Sequence, residues 1–226
     1  MSALFVTSTG TGTGKTFVTA GLIRHLRDRG KRVAALKPVV SGFDPQAPEG
    51  SDPALLLEAL RRPVHESELA RISPFQFRAP LSPDMAARLE GKTLDFEGLT
   101  RFCSQAIATH DGVLLIEGVG GIMVPLDERH TVLDWMARLR VPSILVAGSY
   151  LGTISHTLTA LDVLARRDLE PRALVISETP DSSVPLDETL ATLANFTHVP
   201  LIVLPRACSS SEHDTIFECL ARLTEI

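Results

Sequence analysis

The 226-residue sequence has little cysteine, few aromatic residues and no long uninterrupted apolar run. Because no stretch of about 18 uncharged apolar residues exists, no segment is predicted to span a membrane. The N-terminal residues lack the basic start and long apolar run of a signal peptide, so none is expected. Three cysteines without metal-type spacing are expected to be reduced thiols of a cytoplasmic protein: Cys103, Cys208 and Cys219.

Lysine is also scarce, and acidic residues outnumber basic ones, 27 to 22. The net charge is −5, and this mild acidity argues against a nucleic-acid surface, which would need a clustered basic patch. Arginine supplies most of the positive charge, and there are only four lysines. A lysine in such a chain can mark a place where a compact ammonium is needed. This makes Lys15 and Lys37 candidates for function.

Short aliphatic and β-branched runs recur along the chain, and helical patterns separate them. Six runs are predicted as strands, at residues 3–7, 33–37, 113–117, 143–147, 173–177 and 201–204. Most are continuously apolar, which is typical of strands covered on both faces of a parallel sheet. Helices are predicted at 15–29 and 153–166. The alternation predicts a single α/β domain over residues 1–226, with a doubly wound, mostly parallel sheet of the P-loop NTPase type.

The interval from Ser41 to Asp111 shows no obvious strand. Three helices are predicted there, near residues 53–62, 83–90 and 96–110, and a proline-rich piece joins the first two. A long insertion at the ligand edge of a sheet often shapes a binding site. An ordinary helical crossover is the alternative interpretation.

A glycine-rich segment follows the first predicted strand and opens the first predicted helix. It is Thr7-Ser8-Thr9-Gly10-Thr11-Gly12-Thr13-Gly14-Lys15-Thr16. Glycines at this place let backbone N–H groups approach phosphate oxygens, and the helix start attracts the same anion. Lys15 is predicted to reach the β- and γ-phosphates, and Thr16 to bind Mg²⁺. The segment therefore predicts nucleotide binding by Gly12, Thr13, Gly14, Lys15 and Thr16, although Thr9 departs from the strict P-loop pattern.

Two acidic residues are candidates for holding the metal ion. Glu117 ends the apolar run at 113–117 and matches the second-strand acid of a P-loop enzyme, with Glu in place of the commoner Asp. It is predicted to hold Mg²⁺ directly or through water. Asp52 precedes Pro53, which also suits a helix N-cap. Metal binding and capping are both left open for Asp52.

Several segments together resemble the dethiobiotin synthetase family over most of the chain, from the first strand to about Pro205. Besides the phosphate loop, they are Lys37-Pro38-Val39-Val40-Ser41-Gly42, Ser51-Asp52, Pro74-x-x-Phe77-x-x-Pro80-x-Ser82-Pro83, Glu117-Gly118-Val119-Gly120-Gly121 and Leu151-Gly152-Thr153-Ile154-Ser155-His156. Many ATPases share the phosphate loop, whereas the segments beginning at Lys37 and Leu151 are far more specific. The resemblance implies an ATP- and Mg²⁺-dependent ligase of biotin biosynthesis, which joins 7,8-diaminopelargonic acid and CO₂.

The resemblance also implies roles for particular residues. Lys37, Lys15 and Thr11 would act in catalysis, with Lys37 on the carbamate and the γ-phosphate. Thr11 and Ser41 would bind the diamine or its carbamate. In the family, a helix start from the partner subunit of a homodimer holds the substrate carboxylate. Here that start would be Gly152, Thr153 and Ser155; a Thr153 N-cap without a ligand is the alternative.

Three departures from the family pattern qualify these expectations. Ser8 stands where the family usually has the first glycine of the loop, and Gly12 stands where some members have an acidic residue. Ser177, expected near the nucleobase, replaces an asparagine, so strict selection of ATP over other triphosphates is not predicted. Two alternative functions remain: another P-loop small-molecule ligase, and a nucleotide switch of the partition or division-site type.

Overall fold

A computed structural model describes residues 2–180, 182, 184–207 and 209–226, so Cys208 lies outside the described residues. The main sheet has six strands in the order β2-β5-β1-β6-β7-β8, all paired in parallel. In chain order they are β1 (Ser2–Ser8), β2 (Val33–Leu36), β5 (Val113–Glu117), β6 (Ser143–Gly148), β7 (Ala173–Ser177) and β8 (Leu201–Leu204). The predicted doubly wound parallel sheet is confirmed.

Helices connect these strands and cover the sheet. They are α1 (Lys15–Asp28), α2 (Asp52–Ala59), α3 (Glu66–Ile72), α4 (Pro83–Leu89), α5 (Phe96–Thr109), α6 (Val132–Leu139), α7 (Thr153–Ala165), α8 (Leu186–Ala194) and α9 (Ser210–Thr224). In β5, β6 and β7 every residue is buried. Continuous burial explains why these strands are continuously apolar. Within the described part of the chain, no helix has the length and apolar character needed to cross a bilayer.

The expectation that the 41–111 interval lacks strands was wrong. Two three-residue strands, β3 (Val39–Ser41) and β4 (Phe75–Phe77), pair in parallel as a second, small sheet. Helix α3 was also not predicted. Strands of three residues are too short to show a periodic signal. Their pairing joins residues more than thirty positions apart, so no local pattern indicates it. The small sheet places Ser41 beside the carboxyl edge of the main sheet.

The centre of the main sheet determines where a ligand can bind. Strand β1 lies between β5 and β6; the chain leaves β1 for the edge strand β2, returns through β5, and crosses β1 to continue through β6, β7 and β8 on the other side. Ligands of open α/β sheets bind at such a reversal, beyond the carboxyl ends of the strands. The loop between β1 and α1 and the residues after β5 both lie at this edge.

Candidate active site

A cavity of about 650 Å³ lies at the carboxyl edge of β1 and β5. Its wall combines the glycine-rich loop and the start of α1 with the end of β2, part of β3, the first residue of α2 and the segments that follow β4 and β5. The lining residues are 11–17, Lys37, Val40, Ser41, Asp52, 80–83, Val119, Gly120 and Val124. The fold therefore brings segments that are far apart in the sequence to one concave surface.

Two glycines of the loop adopt backbone conformations that other residues rarely take. Gly12 has φ 73° and Gly14 has φ 95°, both in the left-handed region. A Cβ atom on Gly14 would lie 2.5 Å from the Ser177 Oγ, so this position also lacks space for a side chain. Gly14 is the N-cap of α1 and forms no side-chain capping bond. The first N–H groups of α1 therefore remain available to an anion.

The Lys15 ammonium is buried beneath the loop and makes three hydrogen bonds. It donates to the Ser8 Oγ at 2.9 Å, to the Gly10 carbonyl at 3.2 Å and to the Gly120 carbonyl at 2.9 Å. Burial, followed by repulsion from the nearby Lys37, lowers the pKa of Lys15 to about 8. An incoming phosphate would stabilise the charged form of this lysine.

Lys37 lies at the end of β2 with only 2% of its surface exposed. Its Nζ is 2.8 Å from the Glu117 Oε1, 2.9 Å from the Asp52 Oδ2 and 2.8 Å from the Gly118 carbonyl. Burial alone would lower the pKa of Lys37, but the two carboxylates outweigh it and raise the pKa above its ordinary value. The side chain is therefore a buried, charged ammonium inside the cavity.

Oxygen atoms of three residues converge beside Lys37. The Thr16 Oγ1 is 2.8 Å from an oxygen of Asp52 and 2.8 Å from an oxygen of Glu117. Burial opposes ionisation of Asp52, but Lys37 and the Thr16 hydrogen bond hold the pKa of its carboxyl below the ordinary value. The other Glu117 oxygen, Oε2, is buried without a hydrogen-bond partner.

These oxygens fit a magnesium ion bound together with a nucleotide. No group of three or more His, Cys, Asp or Glu side chains among the described residues is arranged to hold a metal by itself. Magnesium, however, is usually held by one or two carboxylates plus water and substrate phosphates. The unpartnered Glu117 Oε2, the Asp52 carboxylate and the Thr16 hydroxyl provide such a set.

Capping does not occupy Asp52 or Thr153. Ser51 is the N-cap of α2, and Asp52 is the first helical residue, with its carboxylate on Thr16 and Lys37. Gly152 is the N-cap of α7, and the Thr153 hydroxyl donates to the Gly148 carbonyl. Both N-cap interpretations were therefore wrong.

The predicted substrate-binding residues lie in two different places. Thr11 and Ser41 line the cavity, and the Ser41 Oγ is buried without a partner. Gly152, Thr153 and Ser155 do not line it. Gly152 and Ser155 are exposed at the start of α7, next to Leu151, which is 89% exposed. The structure thus does not bring these two sets together within one chain.

A smaller cavity of about 150 Å³ adjoins the other side of the glycine-rich loop. Ser177, at the end of β7, lines it together with Glu178, Arg206 and Phe17. Phe17 lines both cavities and is 43% exposed. Its ring meets that of His213 of α9 edge-on, with centroids 5.8 Å apart.

No sequence pattern predicted a role for Phe17 or Gly120, and Ser8 stood out only as a departure from the family pattern. The available signal for Phe17 was its size and apolar character at an exposed helix start, directly after Thr16. The contacts of Ser8 and Gly120 with Lys15 had no local signal, because Gly120 is 105 residues from Lys15 along the chain.

Comparisons with known proteins agree on a P-loop architecture. A family model described as an AAA domain matches residues 2–208. The ATP-dependent dethiobiotin synthetase BioD of Caulobacter vibrioides is 50% identical over 209 residues, which cover 92% of this chain and 94% of the relative. That of Phenylobacterium zucineum is 46% identical over 98% of this chain and 96% of the relative.

Among solved structures, the cobyrinic acid a,c-diamide synthase of Mycobacterium smegmatis, solved with an ATP analog and magnesium, superposes with a TM-score of 0.56. It is 16% identical, over 98% of this chain and 93% of the other. At this identity the likeness bears on the fold alone.

Proposed function

The chain belongs to the ATP-dependent dethiobiotin synthetase family, and from this premise we propose that it forms dethiobiotin from 7,8-diaminopelargonic acid, CO₂ and ATP. Members of that family are ATP-dependent ligases that form C–N bonds, and this chain is one of them. One observation carries the proposal: two buried lysines, Lys15 and Lys37, face one cavity beside the carboxylates of Asp52 and Glu117.

The proposed reaction has three steps. One amine of the diamine adds to CO₂, which gives a carbamate and releases a proton. A carbamate oxygen then attacks the γ-phosphorus of ATP, the bond to ADP breaks, and a carbamic–phosphoric mixed anhydride forms. The second amine attacks the carbonyl carbon of the anhydride. Phosphate leaves with the electron pair of the C–O bond, and the amine loses a proton as the cyclic urea closes.

The second step requires positive charge, because an anionic carbamate must approach an anionic phosphate. We propose that Lys15 binds the β- and γ-phosphates and that Lys37 bridges the carbamate and the γ-phosphate. Fixed charges in a buried site are strong because little water screens them. The buried position of Lys37, with its pKa above the ordinary value, supports a permanently charged ammonium there.

Thr16, Asp52 and Glu117 are the proposed magnesium ligands. The ion, when bound, would neutralise charge on the phosphates and polarise the γ-phosphoryl group. The same carboxylates are the ion-pair partners of Lys37. With such an ion on these carboxylates, their hold on Lys37 would be weaker, and the ammonium would be available to contact the carbamate.

We propose that Thr11 and Ser41 hydrogen-bond the diamine or its carbamate. The unpartnered Ser41 Oγ on the cavity wall supports this role.

We further propose a homodimer. In it, the start of α7 from one subunit, at Gly152, Thr153 and Ser155, binds the carboxylate of the substrate held by the other subunit. Free N–H groups at a helix start suit a carboxylate.

The nucleobase is proposed to occupy the smaller cavity, beside Ser177 and Phe17. That cavity lies across the loop proposed to hold the phosphates, and Gly12, Thr13 and Gly14 line both cavities.

The whole chain, residues 1–226, is proposed to act as one P-loop domain in the cytoplasm.

The proposal is tested by measuring phosphate release from ATP with Mg²⁺ and bicarbonate, with and without 7,8-diaminopelargonic acid. We expect phosphate only when the diamine is present, in equal amount to a product with the mass of the cyclic urea. Parallel reactions with CTP and GTP would measure nucleotide selectivity. Phosphate release independent of the diamine, or no release with any triphosphate, would contradict the proposed function.

A further inference from the structure

The side chain of Ser8 occupies an unusual place at the end of β1. It is 0% exposed, and its hydroxyl oxygen lies 2.9 Å from the Lys15 ammonium, from which it accepts a hydrogen bond. The same oxygen is 2.7 Å from the Gly10 carbonyl and 2.8 Å from the Gly120 carbonyl. Ser8 therefore touches both the lysine and the two carbonyl groups that the lysine also contacts.

A count of donors shows what happens when Lys15 turns toward a phosphate. An ammonium has three N–H donors, and each donor of Lys15 already has a protein acceptor. Every bond to a phosphate oxygen must therefore replace one of these three. If Lys15 leaves the half-buried carbonyls of Gly10 and Gly120, they lose a charged donor, and removing a donor from an acceptor that water reaches only in part is unfavourable.

The Ser8 hydroxyl can offset that loss. It carries one proton, and either carbonyl is within hydrogen-bond distance of its oxygen. The hydroxyl proton rotates to suit its surroundings, so it can donate to whichever carbonyl Lys15 releases first. With glycine or alanine at position 8, the Gly120 carbonyl would have Lys15 as its one donor among the described hydrogen bonds. The Gly10 carbonyl would keep Lys15 and a long, 3.4 Å bond from the Thr13 hydroxyl.

We propose that Ser8 is a positioning residue that replaces Lys15 at the loop carbonyls and so frees the ammonium for the nucleotide phosphates. The inference rests on the proposed phosphate-binding role of Lys15. It concerns the ease with which that lysine reaches its ligand and is independent of which substrate receives the phosphoryl group.

The test is a double-mutant cycle read out as Mg-ADP binding by calorimetry, which requires no catalysis. The four proteins are wild type, Ser8→Ala, Lys15→Met and the double variant. We expect Ser8→Ala to weaken ADP binding about tenfold in the wild-type background. In the Lys15→Met background the same change should alter binding by less than about twofold, since the group through which Ser8 acts is gone.

Two further variants separate the hydroxyl from effects of shape. Ser8→Gly also lacks the hydroxyl and should bind ADP as weakly as Ser8→Ala. Ser73→Ala removes another fully buried serine hydroxyl, one without a hydrogen-bond partner, and should bind like wild type. Equal losses from Ser8→Ala in both backgrounds, or wild-type binding by either Ser8 variant, would overturn the inference. Because ADP binding does not depend on the diamine, these outcomes are distinct from failure of the synthetase reaction.

Discussion

The burial of Lys37 is not explained by a contribution to the stability of the fold. Lysine is almost never fully buried unless it is paired. In many proteins, the free energy needed to remove two charged groups from water is as large as the free energy gained from their attraction. A buried ion pair is therefore weak evidence of a stabilising role. Lys37 lines the cavity and faces the proposed metal ligands, which makes catalysis the better explanation for its burial.

We predict that Lys37→Met lowers kcat by about 10²–10³-fold, the range seen when a preorganised charge contact is lost. ADP binding should change little, because Lys15 and the loop are proposed to hold the nucleotide. Steady-state kinetics and calorimetry on the same preparation measure the two quantities.

Lys92→Met is the matched control for that experiment. Lys92 is exposed and pairs only with Glu90 among the described ion pairs, so its loss should leave kcat unchanged. Thermal unfolding must accompany both variants, since Lys37→Met leaves the buried Glu117 without its cation. A near-normal kcat in a folded Lys37→Met protein would exclude the proposed role.

Phe17 gives a second prediction at the residue scale. Stacking of a base on an aromatic ring contributes on the order of 1–3 kcal/mol by alanine substitution in single-stranded nucleic-acid complexes. Phe17→Ala should therefore raise the KM for ATP by about tenfold or more, with a similar increase for CTP and GTP because every base has a π-face.

Phe196→Ala provides the comparison for Phe17→Ala. Phe196 is a more exposed aromatic residue, at 67%, and lines neither cavity. Its loss should leave the KM unchanged. A normal KM in Phe17→Ala, or an increase for one nucleotide alone, would show that the base is not recognised by stacking on this ring.

The residues of the site differ in how far they could be predicted from sequence. Lys15 and Thr16 belong to a local pattern, a glycine-rich turn between a strand and a helix, and Glu117 follows an apolar run. The convergence of Thr16 with Asp52 and Glu117 spans 36 and 101 sequence positions. No spacing rule expresses that convergence; only the fold creates it.

At the scale of elements, the strands that the sequence predicted are the longer ones that helices cover on both faces. The six strands of the main sheet were predicted with small errors at their ends, because burial on both faces produces a continuous apolar run. Strands β3 and β4 were missed because they contain three residues each and pair only with one another. Phe75-Gln76-Phe77 lies between Pro74 and Pro80, and those prolines indicated a loop rather than a strand.

Two cysteines on different helices lead to a prediction about reactivity. Cys103 of α5 is 0% exposed, and burial raises its pKa to about 12. Cys219 of α9 is exposed. Because the thiolate is the reactive form, Cys103 should be alkylated at least about a hundredfold more slowly than Cys219 at pH 8.

Peptide mass mapping after timed iodoacetamide treatment measures both rates in one sample. Addition of urea serves as the control, since unfolding should make Cys103 react at the rate of an ordinary thiol. Rapid alkylation of Cys103 in the folded protein would mean that α5 opens locally and that its burial is transient.

At the scale of the whole molecule, the arrangement of the substrate-binding residues argues for more than one chain. The two lysines proposed to act in catalysis and the Ser41 hydroxyl face one cavity, whereas Gly152 and Ser155 lie exposed outside its wall. A substrate with amines at one end and a carboxylate at the other would have to reach both. In the proposed symmetric dimer, the start of α7 of one subunit would meet the cavity of the other, and the reverse contact would follow because a two-fold interface is reciprocal.

Complementation between two inactive variants tests this composite site. Lys37→Met removes a proposed catalytic charge, and Ser155→Glu places an anion where the substrate carboxylate is proposed to bind, while an acidic residue in the first turn of α7 favours the helix. Each variant alone should be nearly inactive with the diamine. Mixed dimers, isolated with two different affinity tags, carry one intact site of two and should regain about half of the wild-type rate. Mixed dimers that stay inactive would show that Lys37 and Ser155 of the same chain serve the same site, because each mixed dimer would then carry one defect in every site.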